Sequence, residues 1–142
     1  MSRRLAREAA LQTLYQIDLA KAEPEEALDF TITEFNVKPA MAPFVRELVT
    51  GTLEQIPYLD DVIKKAAIDW NLERMAAVDR NILRLAMYEL FFRADIPANV
   101  SLNEAIELGK TFSTAESGKF INGILGKVVH QPELFRVEKV KS

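Results

Sequence analysis

A chain of 142 residues fits one domain of common size, or two small bundles sharing a core. With 49% apolar residues it can build that core unaided, and the absence of cysteine excludes a disulfide framework and thiolate metal sites. The formal charge of −3 excludes a polycation that coats nucleic acid by bulk attraction, so any nucleic-acid contact must come from a local patch.

The opening residues supply one such patch: Arg3, Arg4 and Arg7 stand against a single acid, Glu8. No apolar stretch approaches the roughly 20 residues that span a bilayer, and the N-terminus lacks the apolar run and cleavage site of a secretory signal. Its arginine, serine and leucine would suit a short transit peptide, but the pattern continues unbroken into a core helix. A cytoplasmic protein with no membrane partner is expected.

Strand signals are weak, and helical periodicity predicts about seven helices. The first spans Arg3 to Ala20, with Ser2 as its N-cap and Leu11 and Leu14 on its apolar face. Pro24 suits the first turn of a second, through Ala27, Leu28, Ile32 and Phe35. A third carries Phe44, Val45, Leu48, Val49, Leu53 and Ile56 until Pro57 breaks it, and a fourth runs from Tyr58 to Ala67. Trp70 to Met75 reads as a bend or a short turn of helix. The fifth, Ala76 to Phe92, is apolar almost all round, as expected of a helix with neighbours on most sides. Ser101-Leu-Asn-Glu104 reads as a capping box opening the sixth, which stops near Phe112. Ser113 and Thr114 link it to a seventh that runs to about Gln131 and contains Asn122-Gly123. Pro132 begins a tail, Glu133 to Ser142, expected to fray.

Catalytic constellations are missing. The one histidine, His130, sits beside a proline at a helix end, where a solvated group is the ordinary reading. Asp60-Asp61 and the Glu23, Glu25 and Glu26 cluster lie at helix starts, where acids complement the dipole. Ser117-Gly118-Lys119 lacks the preceding glycine and strand of a phosphate loop. No enzyme, cofactor or metal is expected.

Arg3, Arg4 and Arg7 fall within about one third of the helix circumference. There the positive end of the dipole disfavours each cation by roughly 0.3–1 kcal/mol, and neighbouring arginines repel one another. Such a breach of local stability points to function, and the guanidinium fork suits phosphate. Composition alone leaves a phosphate-binding patch and a solvated face equally open. Lys110, Phe112, Glu116, Lys119 and Phe120 form a second candidate, since bases stack on rings while amines follow the backbone. Periodicity taken by itself favours Phe112 and Phe120 as core.

Longer stretches then become recognisable. Arg3-Arg-Leu-Ala-Arg-Glu-Ala-Ala-Leu-Gln-Thr-Leu-Tyr-Gln16 resembles the opening helix of the NusB family of transcription antitermination factors. Asp79-Arg-Asn-Ile-Leu-Arg-Leu-Ala-Met-Tyr-Glu-Leu90 resembles its central helix. Ile96-Pro, Asn103-Glu-Ala-Ile-Glu-Leu-Gly-Lys110 and Ser117-Gly-Lys-Phe-Ile-Asn-Gly-Ile-Leu125 resemble its closing half. Gly109 and Gly126 depart from the alanine and the acid expected at those places.

The resemblance implies an all-α fold of two small bundles at a steep angle, divided near residue 67 and followed by a tail from Pro132. It implies binding of boxA, a short single-stranded RNA element, together with NusE, a small-subunit ribosomal protein. The pair serves the RNA polymerase antitermination complex and ribosomal RNA transcription, and some members form homodimers that cover the RNA face. On this chain the RNA surface would comprise Arg3, Arg4 and Arg7, with a second part near Phe112, Glu116 and Phe120. Tyr15 and Asp79 would meet the protein partner. Two other readings stand beside it: a helical protein-interaction module, and the RNA-binding domain of a ribosomal RNA methyltransferase. The latter would need a long cofactor-binding domain after Ser142.

Overall fold

The computed structural model describes residues 3–135, which form helices and connecting turns. Two compact units divide the chain between Glu54 and Gln55.

The first unit holds α1 (Arg3–Ala20), α2 (Pro24–Glu34) and α3 (Ala42–Glu54), with α1 packed on both others. Ala6, Ala9 and Ala10 are fully buried on α1, and such small side chains let a neighbouring backbone approach closely. Leu11, Leu14, Leu28, Val45, Leu48 and Val49 fill the space around them. Buried Thr13 and Thr31 satisfy their hydroxyls on the carbonyls of Ala9 and Ala27, at 2.8 Å each. α2 begins as its sequence dictates: Glu23 accepts from the Glu26 amide at 2.9 Å, and Pro24 occupies the first turn. Lys21 and Asn36, each just past a helix end, adopt left-handed φ values of 55° and 49°. The Ser2 cap lies outside the described residues.

The second unit holds α4 (Ile56–Ala66), a 3-10 turn (Leu72–Arg74), α5 (Ala77–Phe92), α6 (Ala98–Phe112), α7 (Ala115–His130) and α8 (Pro132–Phe135). α5 packs against α4, α6 and α7, and Ile82, Leu83 and Leu85 through Phe91 are all buried. Arg84 grips Asp60 with two bonds of 2.8 and 2.9 Å, tying α5 to α4. Lys127 donates to the carbonyl of Ala66 at 3.0 Å, placing a cation where α4 ends in unsatisfied acceptors.

Four expectations change. Pro57 starts a helix instead of ending one, because a first-turn proline has no amide that needs a partner. α4 therefore belongs to the second unit, where it packs on α5 and α7, and the division lies at residue 54 instead of 67. Ser101 is not a cap: α6 begins at Ala98, and the buried Ser101 hydroxyl donates to Glu89 Oε1 at 2.9 Å. A buried carboxylate gains more from a donor than a solvated helix end gains from an acceptor. Residues 132–135 form the one-turn helix α8, and the remainder of the expected tail lies outside the described residues.

The two unexpected glycines have different surroundings. A Cβ on Gly109 would lie 2.7 Å from Ile121 Cδ1, so its absence lets α6 and α7 close on each other. A Cβ on Gly126 would meet nothing nearer than Asn122 Oδ1 at 4.0 Å. Gly126→Ala should therefore stabilise the protein by about 0.5–1 kcal/mol in urea denaturation, the ordinary helix-interior gain. Gly109→Ala should gain less or lose stability, because Ile121 has to move. Equal gains at the two positions would contradict this packing.

Candidate nucleic-acid interface

In the first unit, Arg3 and Arg4 are exposed on the opening turn of α1. Arg7, expected on the same open face, is 3% exposed. Phe44 in the first turn of α3 organises the cluster: Cζ of Arg3 lies 4.5 Å and that of Arg7 5.9 Å from its ring centroid. Attraction of a guanidinium to a ring face contributes about 0.5–1 kcal/mol at an exposed site and more when desolvated. α1 has no acid in its first turn, so this ring helps offset the unfavourable dipole. Tyr15 is half-buried further along α1. Nothing in the sequence distinguished Phe44 from its apolar neighbours, since periodicity marks a packed position without saying what it packs on.

In the second unit, the short link between α6 and α7 carries the other candidates. Phe112, last residue of α6, is 40% exposed, so it is not the core residue that periodicity favoured. Phe120 is half-buried, and its ring stands edge-on to Trp70, with centroids 4.9 Å apart and planes at 76°. Lys110, Glu116 and Lys119 are exposed. Lys110 reaches Glu107 at 3.6 Å, and Lys119 reaches Glu116 at 3.6 Å, both one turn away along a helix. Contacts this long between solvated groups are worth little, so both amines stay available to a ligand. Trp70 sits in a turn, where no periodicity marks a ring as exposed.

Ser117 fixes this link. Its amide donates to Thr114 Oγ1 at 3.1 Å, capping α7. Its hydroxyl lies 2.7 Å from Ser113 Oγ and donates to Asp79 Oδ2 at 3.2 Å. Asp79, expected at a partner surface, is thus 9% exposed and bonded within the second unit.

Among the described residues, no cluster of histidine and acidic side chains could hold a metal ion. No helix there is long and apolar enough to cross a membrane, and His130 is exposed at the end of α7.

Comparison with known proteins then decides the assignment. The model of the NusB family matches residues 4–130. The chain belongs to the NusB family. Its relatives include the transcription antitermination protein NusB of Desulforamulus reducens, 57% identical over 91% of this chain and 90% of that one. The NusB of Pelotomaculum thermopropionicum is 54% identical over 96% and 94%. Among solved structures, T. maritima NusB superposes with a TM-score of 0.85 at 36% identity, covering 92% of each chain. A NusB chain from a complex of the antitermination factors NusB and NusE with dsRNA has a TM-score of 0.83 at 29% identity, covering 90% of this chain and 96% of that one.

Within this NusB-family chain Asp79 carries an electrostatic cost. Burial pushes its carboxyl above the ordinary range, and hydrogen bonds from Ser117 and Ser113 oppose that only in part. Its Oδ1 is buried with no hydrogen-bond partner among the described residues. A carboxyl raised in the folded state costs nothing while both folded and unfolded forms are protonated. It lowers stability as pH rises from the unfolded value to the folded one, and the loss is then constant. Asp79→Asn, which does not ionise, should gain stability relative to the parent across that window and level off above it. Urea denaturation at fixed ionic strength reads the difference, and a gap that is flat with pH would show that burial does not burden Asp79.

Proposed function

We propose that this chain is a transcription antitermination factor that works without catalysis, binding a boxA-type single-stranded RNA element together with NusE. The pair would act on the RNA polymerase antitermination complex in the cytoplasm, carrying transcription through termination signals and supporting ribosomal RNA synthesis. One observation carries the reading: nearly the whole chain matches, in fold and sequence, a NusB solved with NusE and dsRNA. Exposed Arg3 and Arg4 suit phosphate, while Phe112, Phe120, Lys110 and Lys119 suit bases and the backbone between them. That solved complex holds a duplex, but exposed rings favour unpaired RNA, whose bases are free to stack on them. Arg7, buried beside Phe44, supports this patch from beneath. The half-buried Tyr15 and, through its exposed edge, Asp79 are the candidates for contact with NusE.

The salt dependence of binding tests the electrostatic part. Two exposed arginines that each neutralise one phosphate of a single strand contribute about −1.4 to the slope of log affinity against log salt. Arg4→Ala should weaken binding of a labelled boxA-type RNA and flatten that slope by about 0.7. Undetectable or salt-independent RNA binding would favour a module that binds only proteins.

Glu116 is the anomaly in this surface. Its exposed carboxylate sits where phosphates should pass and lies 3.6 Å from the Lys119 amine. Glu116→Gln removes the repulsion of a passing phosphate, so it should tighten RNA binding by about two- to fivefold, the scale of one exposed charge interaction. Unchanged or weaker binding in a titration at fixed salt would assign Glu116 a different part.

A further inference from the structure

Trp70 is the one tryptophan of the chain, and its side chain is 59% exposed. It lies between α4 and the 3-10 turn, in a segment fixed by its own backbone. The Trp70 amide donates to the Ala67 carbonyl at 2.9 Å, and the Asn71 side chain accepts from the Glu73 amide at 2.8 Å. Beside it Ile68 is 75% exposed, and the two line one side of an open hollow of about 520 Å³. Single exposed apolar residues are ordinary on protein surfaces, but here an indole, an isoleucine and the edge-on ring of Phe120 stand together.

The charges around the hollow narrow its occupant. Lys64 is the cation lining it, against Asp69 and Glu73, so a phosphate would meet net repulsion. A nucleobase carries no charge, presents a flat face to the indole, and offers amino groups that carboxylates accept. Trp70 lines the hollow and meets Phe120 edge-on, so it stands between the hollow and the surface proposed for RNA on α7.

We propose that Trp70 and the adjoining hollow form a further base-stacking site, which takes an unpaired base of the same RNA that passes Phe120. The proposal rests on the RNA-binding reading above. It extends the stacking surface from α7 to the turn after α4 and assigns bases, not phosphates, to that part of the protein.

Because no other tryptophan interferes, Trp70 emission reports on its own environment. The full chain is titrated with a fluorescein-labelled single-stranded boxA-type RNA while anisotropy of the label and emission of Trp70 are followed together. Stacking predicts quenching that saturates at the same RNA concentration as the anisotropy. Trp70→Ala should weaken binding by roughly five- to fiftyfold with the salt slope unchanged, while Trp70→Phe, which keeps a ring, should retain most of the affinity. Circular dichroism of both variants should match the parent, since the side chain is mostly outside the core.

RNA binding with unaltered Trp70 emission and full affinity in Trp70→Ala overturns the stacking site but leaves the RNA-binding reading intact. Absence of any anisotropy change, with NusE present as well as without it, overturns both. Emission that responds to added NusE but not to RNA makes the hollow a protein-docking surface and overturns the proposal. Equal losses in Trp70→Ala and Trp70→Phe would also count against stacking, since either aromatic ring can carry a base.

Discussion

The hydroxyl of Ser117 lies where three elements meet: Ser113 at the end of α6, Thr114 at the start of α7, and Asp79 in the first turn of α5. That convergence requires α6 and α7 to come very close, and Gly109 and Gly118 make room for it. A Cβ on Gly118 would lie 3.1 Å from Lys110 Cγ, as one on Gly109 would crowd Ile121. Two helices so closely apposed leave a link of Ser113 and Thr114 only, with little freedom for what flanks it. Phe112 and Glu116 therefore emerge at fixed positions, although both face solvent. The protein accepts a buried, incompletely bonded carboxylate in return, and a local rule broken in this way is commonly found where a surface has to be held ready for a ligand.

Much of this architecture is legible from residue chemistry. α1 and α5 announce themselves by period and composition, and Pro24 marks the start of α2 as its missing amide dictates. What fails to show is anything decided by contacts distant in sequence. Ser101-Leu-Asn-Glu104 has the form of a capping box, yet Glu89, twelve residues back, takes the serine hydroxyl. Pro57 looks like a terminator and serves as an initiator, because α4 finds its packing partners in α5 and α7. Arg7 shares an arc of α1 with Arg3 and Arg4, but an arc drawn on an isolated helix contains no neighbour, and in the folded unit Arg7 is buried, with Phe44 of α3 among its neighbours.

Aromatic residues were harder to place than charged ones for a related reason. A phenylalanine at helical spacing is core in most helices, and Phe112, the last residue of α6, is nevertheless 40% exposed. The resemblance to a family places a candidate patch at Phe112 and Phe120 where periodicity points away from one. The turn at Trp70 to Met75 is legible as a turn, but it has no period that could mark the ring of Trp70 as exposed.

The two candidate patches depend on different physics. Rings bind through area and geometry, and salt affects them little; arginines bind through charge, and salt weakens them. In a chain with a formal charge of −3, the few cations placed for binding have to keep their charge unspent. Here the choice of Phe44 as the support of Arg3 is informative. A carboxylate in the first turn of α1 would answer the helix dipole and fix the guanidinium equally well. It would also cancel the charge that attracts a phosphate. The face of a ring attracts a cation through its quadrupole and leaves the net charge intact, so Arg3 is positioned without being neutralised. Arg3, unfavourable in the first turn of an isolated helix, is thus held by α3 in a manner compatible with the phosphate contact proposed for it.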